Sequence, residues 1–278
     1  MFFPRMNNRA LVCYNRAIKL HPKDPFAYFK KSELLDGIGK KKEALGCLNK
    51  AISLDPNDSD AYSKKGSILS DMGRSEEAVD CYTESLRLSP NVNAFNMKGV
   101  LLSDMGKREE AVDCFNEFIR LFPDVSCAYY WKGDLLNEIG KKEEAVACYD
   151  EAIRLDSNFA GNFFKKGNAL AGMGKNEEAV DCFDQAISLD PNNALAYFNK
   201  GNALREMEKY EEAIECFDRS ISLVPDCADT YYEKGNTLRV MGKETEAGEC
   251  YEKVLSLNSD HKDASHNKSV VLNEMAAK

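Results

Sequence analysis

The chain has 278 residues, of which 44% are hydrophobic and 30% charged, and its net charge is −9. That balance excludes the basic face of a nucleic-acid-binding protein, and no run approaches the roughly 18 apolar residues that a membrane span needs. The opening MFFPRMNNRA lacks the apolar stretch of a secretory signal, and ten cysteines without such a signal argue for a reducing, cytoplasmic setting.

The predicted elements repeat with a step of 34 residues. If one unit begins at Ala160, position 8 is Ser32, Gly66, Gly99, Gly133, Gly167, Gly201, Gly235 and Ser269. Position 20 is alanine in every copy, from Ala10 to Ala247, and position 32 is proline in most, from Pro22 to Pro225. One residue is missing near Asn91. A fixed period of this size indicates stacked repeats, each burying its apolar face only against its neighbours.

In chain order, residues 5–24 match only the second helix of a unit, and Phe2 and Phe3 stand where the absent first helix should finish. Either the chain is cut from a longer array, which is the expectation, or its first half-unit is uncapped; the apolar edge would then be available for association with another copy. Full units follow at 25–58, 59–91, 92–125, 126–159, 160–193, 194–227 and 228–261. Residues 262–278 match a first helix alone, and Ser265, His266, Asn267 and Ser269 give it the wet face of a C-terminal cap.

Residues 160–193 show how a unit is written. Phe163, Gly167, Leu170 and Met173 predict one face of a helix of about 13 residues, which Gly172 and Gly174 end. Lys175 and Asn176 turn the chain. Glu177 and Glu178 suit the first turn of a second helix, where the dipole favours acidic groups. Ala179, Val180, Phe183, Ala186, Ile187 and Leu189 form its apolar stripe, and Pro191 stops it. Glycine at position 8 and alanine at position 20 let the two helices approach. Aromatics at position 4 (Tyr28 to Tyr231) and position 24 (Tyr14 to Tyr251) fill the space beside them.

These residues resemble the tetratricopeptide repeat (TPR), whose pattern has aromatics at 4 and 24, small residues at 8, 20 and often 27, and proline at 32. The resemblance covers residues 1–278. It implies an all-α solenoid, a right-handed superhelix whose first helices line a concave groove that takes extended peptides or partner proteins. Positions 2, 5, 6, 9, 12 and 13 would face that groove.

At those positions the last three full units agree with one another. Position 5 is Phe164, Phe198 and Tyr232; position 9 is Asn168, Asn202 and Asn236; position 12 adds Arg205 and Arg239, and position 6 adds Asn199. A row of amides offers donors and acceptors to a peptide backbone, aromatics supply contact area, and arginine anchors an acidic group. Recent duplication would produce the same agreement. Tyr130 and Trp131 join the candidate site near the middle of the chain. Toward the N-terminus, Glu33, Asp36, Asp60, Asp71, Asp104, Asp134 and Glu138 predict an acidic groove, with Lys30 and Lys64 as exceptions. Position 5 is never lysine, so the carboxylate clamp of chaperone-tail adaptors is not expected.

Position 7, often leucine in the family, is lysine in all eight copies, and position 23 is cysteine in all eight. One expectation is a lysine stem lying on the core beside a small buried thiol; the other is a thiol activated by the nearby cation. Cysteines one repeat apart are spaced by roughly a helix packing distance of 10 Å, too far for a disulfide. His21, His261 and His266 make no site. No nucleophile with a spaced base, phosphate loop or metal-ligand motif is present, so neither an enzyme nor a cofactor is expected. The reading is a protein-interaction scaffold for a peptide or protein partner, with neither nucleic acid nor membrane. A self-assembling array and the regulatory arm of a larger protein are the alternatives.

Overall fold

The computed structural model describes residues 3–276. It is all α, with sixteen helices and no strand among the described residues. They fall into two compact units that divide between Leu135 and Leu136. The first holds α1 (Phe3–Leu20), α2 (Pro25–Gly37), α3 (Lys41–Leu54), α4 (Ser59–Asp71), α5 (Ser75–Leu88), α6 (Val92–Asp104), α7 (Arg108–Leu121) and most of α8 (Ser126–Glu138). The second holds α9 (Lys142–Leu155), α10 (Ala160–Ala171), α11 (Asn176–Leu189), α12 (Ala194–Glu206), α13 (Tyr210–Leu223), α14 (Ala228–Val240), α15 (Glu244–Leu257) and α16 (Lys262–Ala276).

Local chemistry sets the boundaries. Asp58, Asn91 and Asn193 cap first helices by accepting from the N–H of Ala61, Ala94 and Ala196 at 3.0, 2.8 and 3.0 Å. Glutamate pairs open α5, α7, α9, α11 and α13. First helices end through a glycine with positive φ, such as Gly174 at 75°, after which Lys175 N–H reaches back to Leu170 C=O at 3.0 Å. Met173, expected as the last apolar position of its helix, falls in this turn.

The core follows from the repeat. In the first unit, a Cβ on Gly66 would meet the Tyr82 ring at 3.1 Å, and one on Gly99 would run into the Phe115 ring. In the second, Gly167, Gly201 and Gly235 stand in the same way against Phe183, Phe217 and Tyr251 at 2.7, 2.7 and 2.9 Å. These rings and the position-20 alanines from Ala44 to Ala247 are almost wholly buried. The shortened unit compensates for its missing residue locally. Asn91 caps α6 after a three-residue connection. In the following unit, Phe118 at position 27 replaces the usual small residue. Phe118 stacks on Phe95 at 5.3 Å and meets Phe122 edge-on at 6.0 Å.

Among the described residues α1 runs without a break from Phe3 to Leu20, and Phe2 lies outside the described residues. Val12, Leu20 and Phe26 are exposed by 65%, 66% and 63%, and Cys13, alone among the position-23 cysteines, is exposed. In α16, Ser265, His266 and Ser269 are exposed as expected, but Asn267 turns inward and hydrogen-bonds to Asn236.

Candidate functional site

In the second unit, the position-5 aromatics are braced by the core. Phe164, Phe198 and Tyr232 each sit 6.1 Å from the position-24 ring of their own repeat, tilted by 53–54°. All three stay half-buried. Each ring therefore has one side against the core and part of its surface open.

The asparagines are not equivalent. Asn199 Nδ2 donates to Asn168 Oδ1 at 2.7 Å, and Asn267 Nδ2 donates to Asn236 Oδ1 at 3.1 Å. Each is a bond from position 6 of one repeat to position 9 of the repeat before. The same place opposite Asn202 holds Glu233, which has no amide hydrogen to give. Asn202 Oδ1 is consequently buried with no hydrogen-bond partner, a costly condition for a carbonyl. An open cavity of about 310 Å³ lies here, lined by Asn168, Asn199, Asn202, Phe183 and Glu206 among others.

The arginines differ too. Arg205 bonds to Glu233 and, at 3.0 Å, to Glu206. Arg239 has a buried Nε without an acceptor. Tyr251 donates to Asn236 Oδ1 at 2.9 Å; burial pushes this hydroxyl's pKa up, and Arg239 pulls against it. Glu233, Tyr251 and Asn267 were absent from the sequence-derived set. Comparing position 6 with positions 9 and 12 across the repeat boundary is the signal that finds Glu233 and Asn267.

Tyr130 and Trp131 meet edge-on at 5.3 Å on α8. Trp131 packs against the Phe95, Phe115 and Phe118 core of the first unit, apart from the asparagine set by position in the chain. In that unit several of the acidic residues expected to line a groove are paired with the chain's own lysines. Lys30 pairs with Glu33, Lys64 with Asp36 and Lys41 with Asp71, at 2.8, 2.7 and 2.8 Å.

The lysine–cysteine register comes out on the bland side. Burial pushes the thiols of Cys114, Cys216 and Cys250 up to about 11, and the lowering by Lys98, Lys200 and Lys234 is the smaller effect. Thiol activation is thereby overturned, because desolvation outweighs the cation. The lysine heads reach back to the preceding repeat instead: Lys166 to Asp150, Lys200 to Asp184 and Lys234 to Asp218, at 2.6, 2.6 and 2.5 Å.

Among the described residues no helix is long and apolar enough to cross a membrane, and no group of three or more His, Cys, Asp or Glu residues is disposed to hold a metal ion. Tetratricopeptide repeat family models match residues 27–58, 47–80, 96–158, 194–227 and 228–261, and a TPR repeat model matches 167–207. The chain belongs to the tetratricopeptide repeat family. Among solved structures it is similar to the C-terminal part of a TPR repeat-containing protein from Cytophaga hutchinsonii, with 15% identity, TM-score 0.73, and 86% of this chain and 98% of that one covered. It is also similar to YrrB, a TPR protein with an unusual peptide-binding site, with 24% identity, TM-score 0.57, and 66% and 95% covered. A third is a chain of the APC/C hetero-tetramer Cut9–Hcn1, with 16% identity, TM-score 0.61, and 94% of this chain and 52% of that one covered. No curated protein matches the chain significantly.

Proposed function

We propose that the protein is a binding scaffold whose first-helix face in the second unit holds an extended peptide segment of a protein partner. The observation that carries this reading is the unmet Asn202 carbonyl beside an open cavity. Rotation of the Asn202 amide toward the cavity would offer this carbonyl to a backbone N–H of an extended ligand, and the braced rings of Phe164, Phe198 and Tyr232 supply contact area at little entropic cost. Because Asn168 and Asn236 already accept bonds within the chain, Asn202 is the principal reader, and Asn168, Asn199 and Asn236 hold the ladder in shape. The peptide-binding site that YrrB carries on the same fold agrees with this role. Ten separate thiols go with a reducing, cytoplasmic setting.

Capture from cytosolic lysate by the wild-type chain is to be compared with capture by Asn202→Ala and by the triple variant Asn168→Ala, Asn202→Ala, Asn236→Ala, all at equal helicity. The expected result is a partner held by wild type and lost from both variants. Equal capture by all three overturns the assignment of the face. Self-association is the second reading, favoured by the exposed Val12, Leu20 and Phe26; it predicts a sedimentation mass that rises with concentration.

A further inference from the structure

Position 12 of one repeat meets position 6 of the next, 28 residues further on. Within each unit, charges that meet there pair. In the first, Lys64 binds Asp36 at 2.7 Å; in the second, Arg205 binds Glu233. The two pairs have opposite polarity at the same register. This place between successive first helices is where a position-12 charge finds its counter-ion. Arg239 is also charged at position 12, and the residue 28 positions on is Asn267, which is neutral.

Asn267 does not substitute for a carboxylate. Its amide nitrogen is already given to Asn236 Oδ1 at 3.1 Å and to the Tyr232 hydroxyl at 3.4 Å. No carboxylate pairs with Arg239 among the described residues, and its Nε is buried with no acceptor. The guanidinium keeps a hydrogen bond to the Tyr251 hydroxyl, but it is half-buried with no carboxylate to balance its charge, the condition that Arg205 avoids through Glu233. The setting makes it more notable, since the chain carries a net charge of −9.

We propose that Arg239 is the receptor for an acidic side chain of the partner, which takes on Arg239 the place that Glu233 takes on Arg205. Glu233 is the chain's own example of the occupant: a glutamate carboxylate offered to a position-12 guanidinium from the neighbouring segment. The planar guanidinium matches a carboxylate's two oxygens. Arg205 is not a second receptor, because Glu233 and Glu206 already occupy it. The site stands on the chain's own residues; that the carboxylate arrives on a peptide rests on the function proposed above.

The test uses the full chain labelled with ¹⁵N-arginine, the Arg239 Nε–H signal being assigned with Arg239→Lys. The probes are N-acetyl-glutamate methylamide, the glutamine analogue and inorganic phosphate. A saturable shift of the Arg239 signal with capped glutamate and none with capped glutamine is expected. Arg205 and the exposed Arg219 should stay still. In Asn267→Glu, an internal carboxylate should move the Arg239 signal without ligand and abolish the response. No saturable shift, an equal shift with glutamine, a parallel shift of Arg219, or saturation by phosphate alone would each overturn the proposal. Failure here with Asn202-dependent capture retained removes the carboxylate anchor and leaves the peptide-binding face; a shift here without such capture does the reverse.

Discussion

Phe217 presses its ring into the space that Gly201 leaves open, so closely that a Cβ there would lie 2.7 Å from a ring carbon. In an exposed helix, glycine to alanine stabilises by about 1 kcal/mol. Here the sign should reverse, because a fully buried ring has nowhere to go and overpacking costs about 1–3 kcal/mol. Gly201→Ala should lower the urea midpoint; an unchanged or raised midpoint would mean that the ring yields. This pairing of position 8 with position 24 was legible in the sequence, since both members recur in step. The fates of Asn168, Asn202 and Asn236 were not, although all three look alike in the chain. Whether each amide is spent or free depends on the residue facing it from the next repeat: Asn199, Glu233 or Asn267.

The turn between the two helices of a repeat uses one device throughout. Position 15 takes positive φ, between 71° and 84°, at Gly39, Gly73, Gly106, Gly140, Gly174 and Gly242. Between α12 and α13 the same position is Glu208, with φ of 60°, and Lys209 N–H still closes on Leu204 C=O at 2.9 Å. A side chain in this left-handed conformation costs roughly 1–2 kcal/mol, which neighbouring contacts hold in place. Glu208→Gly should therefore raise stability by about 1 kcal/mol in chemical denaturation, with the fold unchanged. A loss of stability would show that the Glu208 side chain contributes more than its backbone strain costs. Helix existence, order and approximate ends were all readable from the periodic apolar stripes, glycines and prolines. The displacement of Met173 into a turn was not, because an apolar residue just past a helix end keeps the helical spacing.

Across the molecule, the row of buried position-23 thiols couples stability to pH. The thiols of Cys114, Cys216 and Cys250 ionise near about 11 in the folded chain, against an ordinary value of 9.0. Between those values the unfolded chain has released protons that the folded chain keeps. Raising the pH therefore draws the equilibrium toward unfolding. Stability from this source is fully present below pH 9 and is lost as pH rises toward about 11. The urea midpoint should fall across that window, and the fall should be shallower in the variant Cys114→Ala, Cys216→Ala, Cys250→Ala. Equal slopes in the two proteins would remove the thiols as the cause.

The sequence by itself determined the class of protein and its repeat plan. A unit that buries its surface against the next copy must repeat the same small, apolar and aromatic residues at the same places, and such repetition is visible without coordinates. Tertiary structure alone decided the state of each polar side chain on the candidate face. Those states arise from contacts between residues 28 to 31 apart in neighbouring repeats, such as Asn199 with Asn168 and Arg205 with Glu233. One substitution at position 6 leaves the local pattern intact, yet it changes which acceptor stays unmet and which cation lacks a counter-ion.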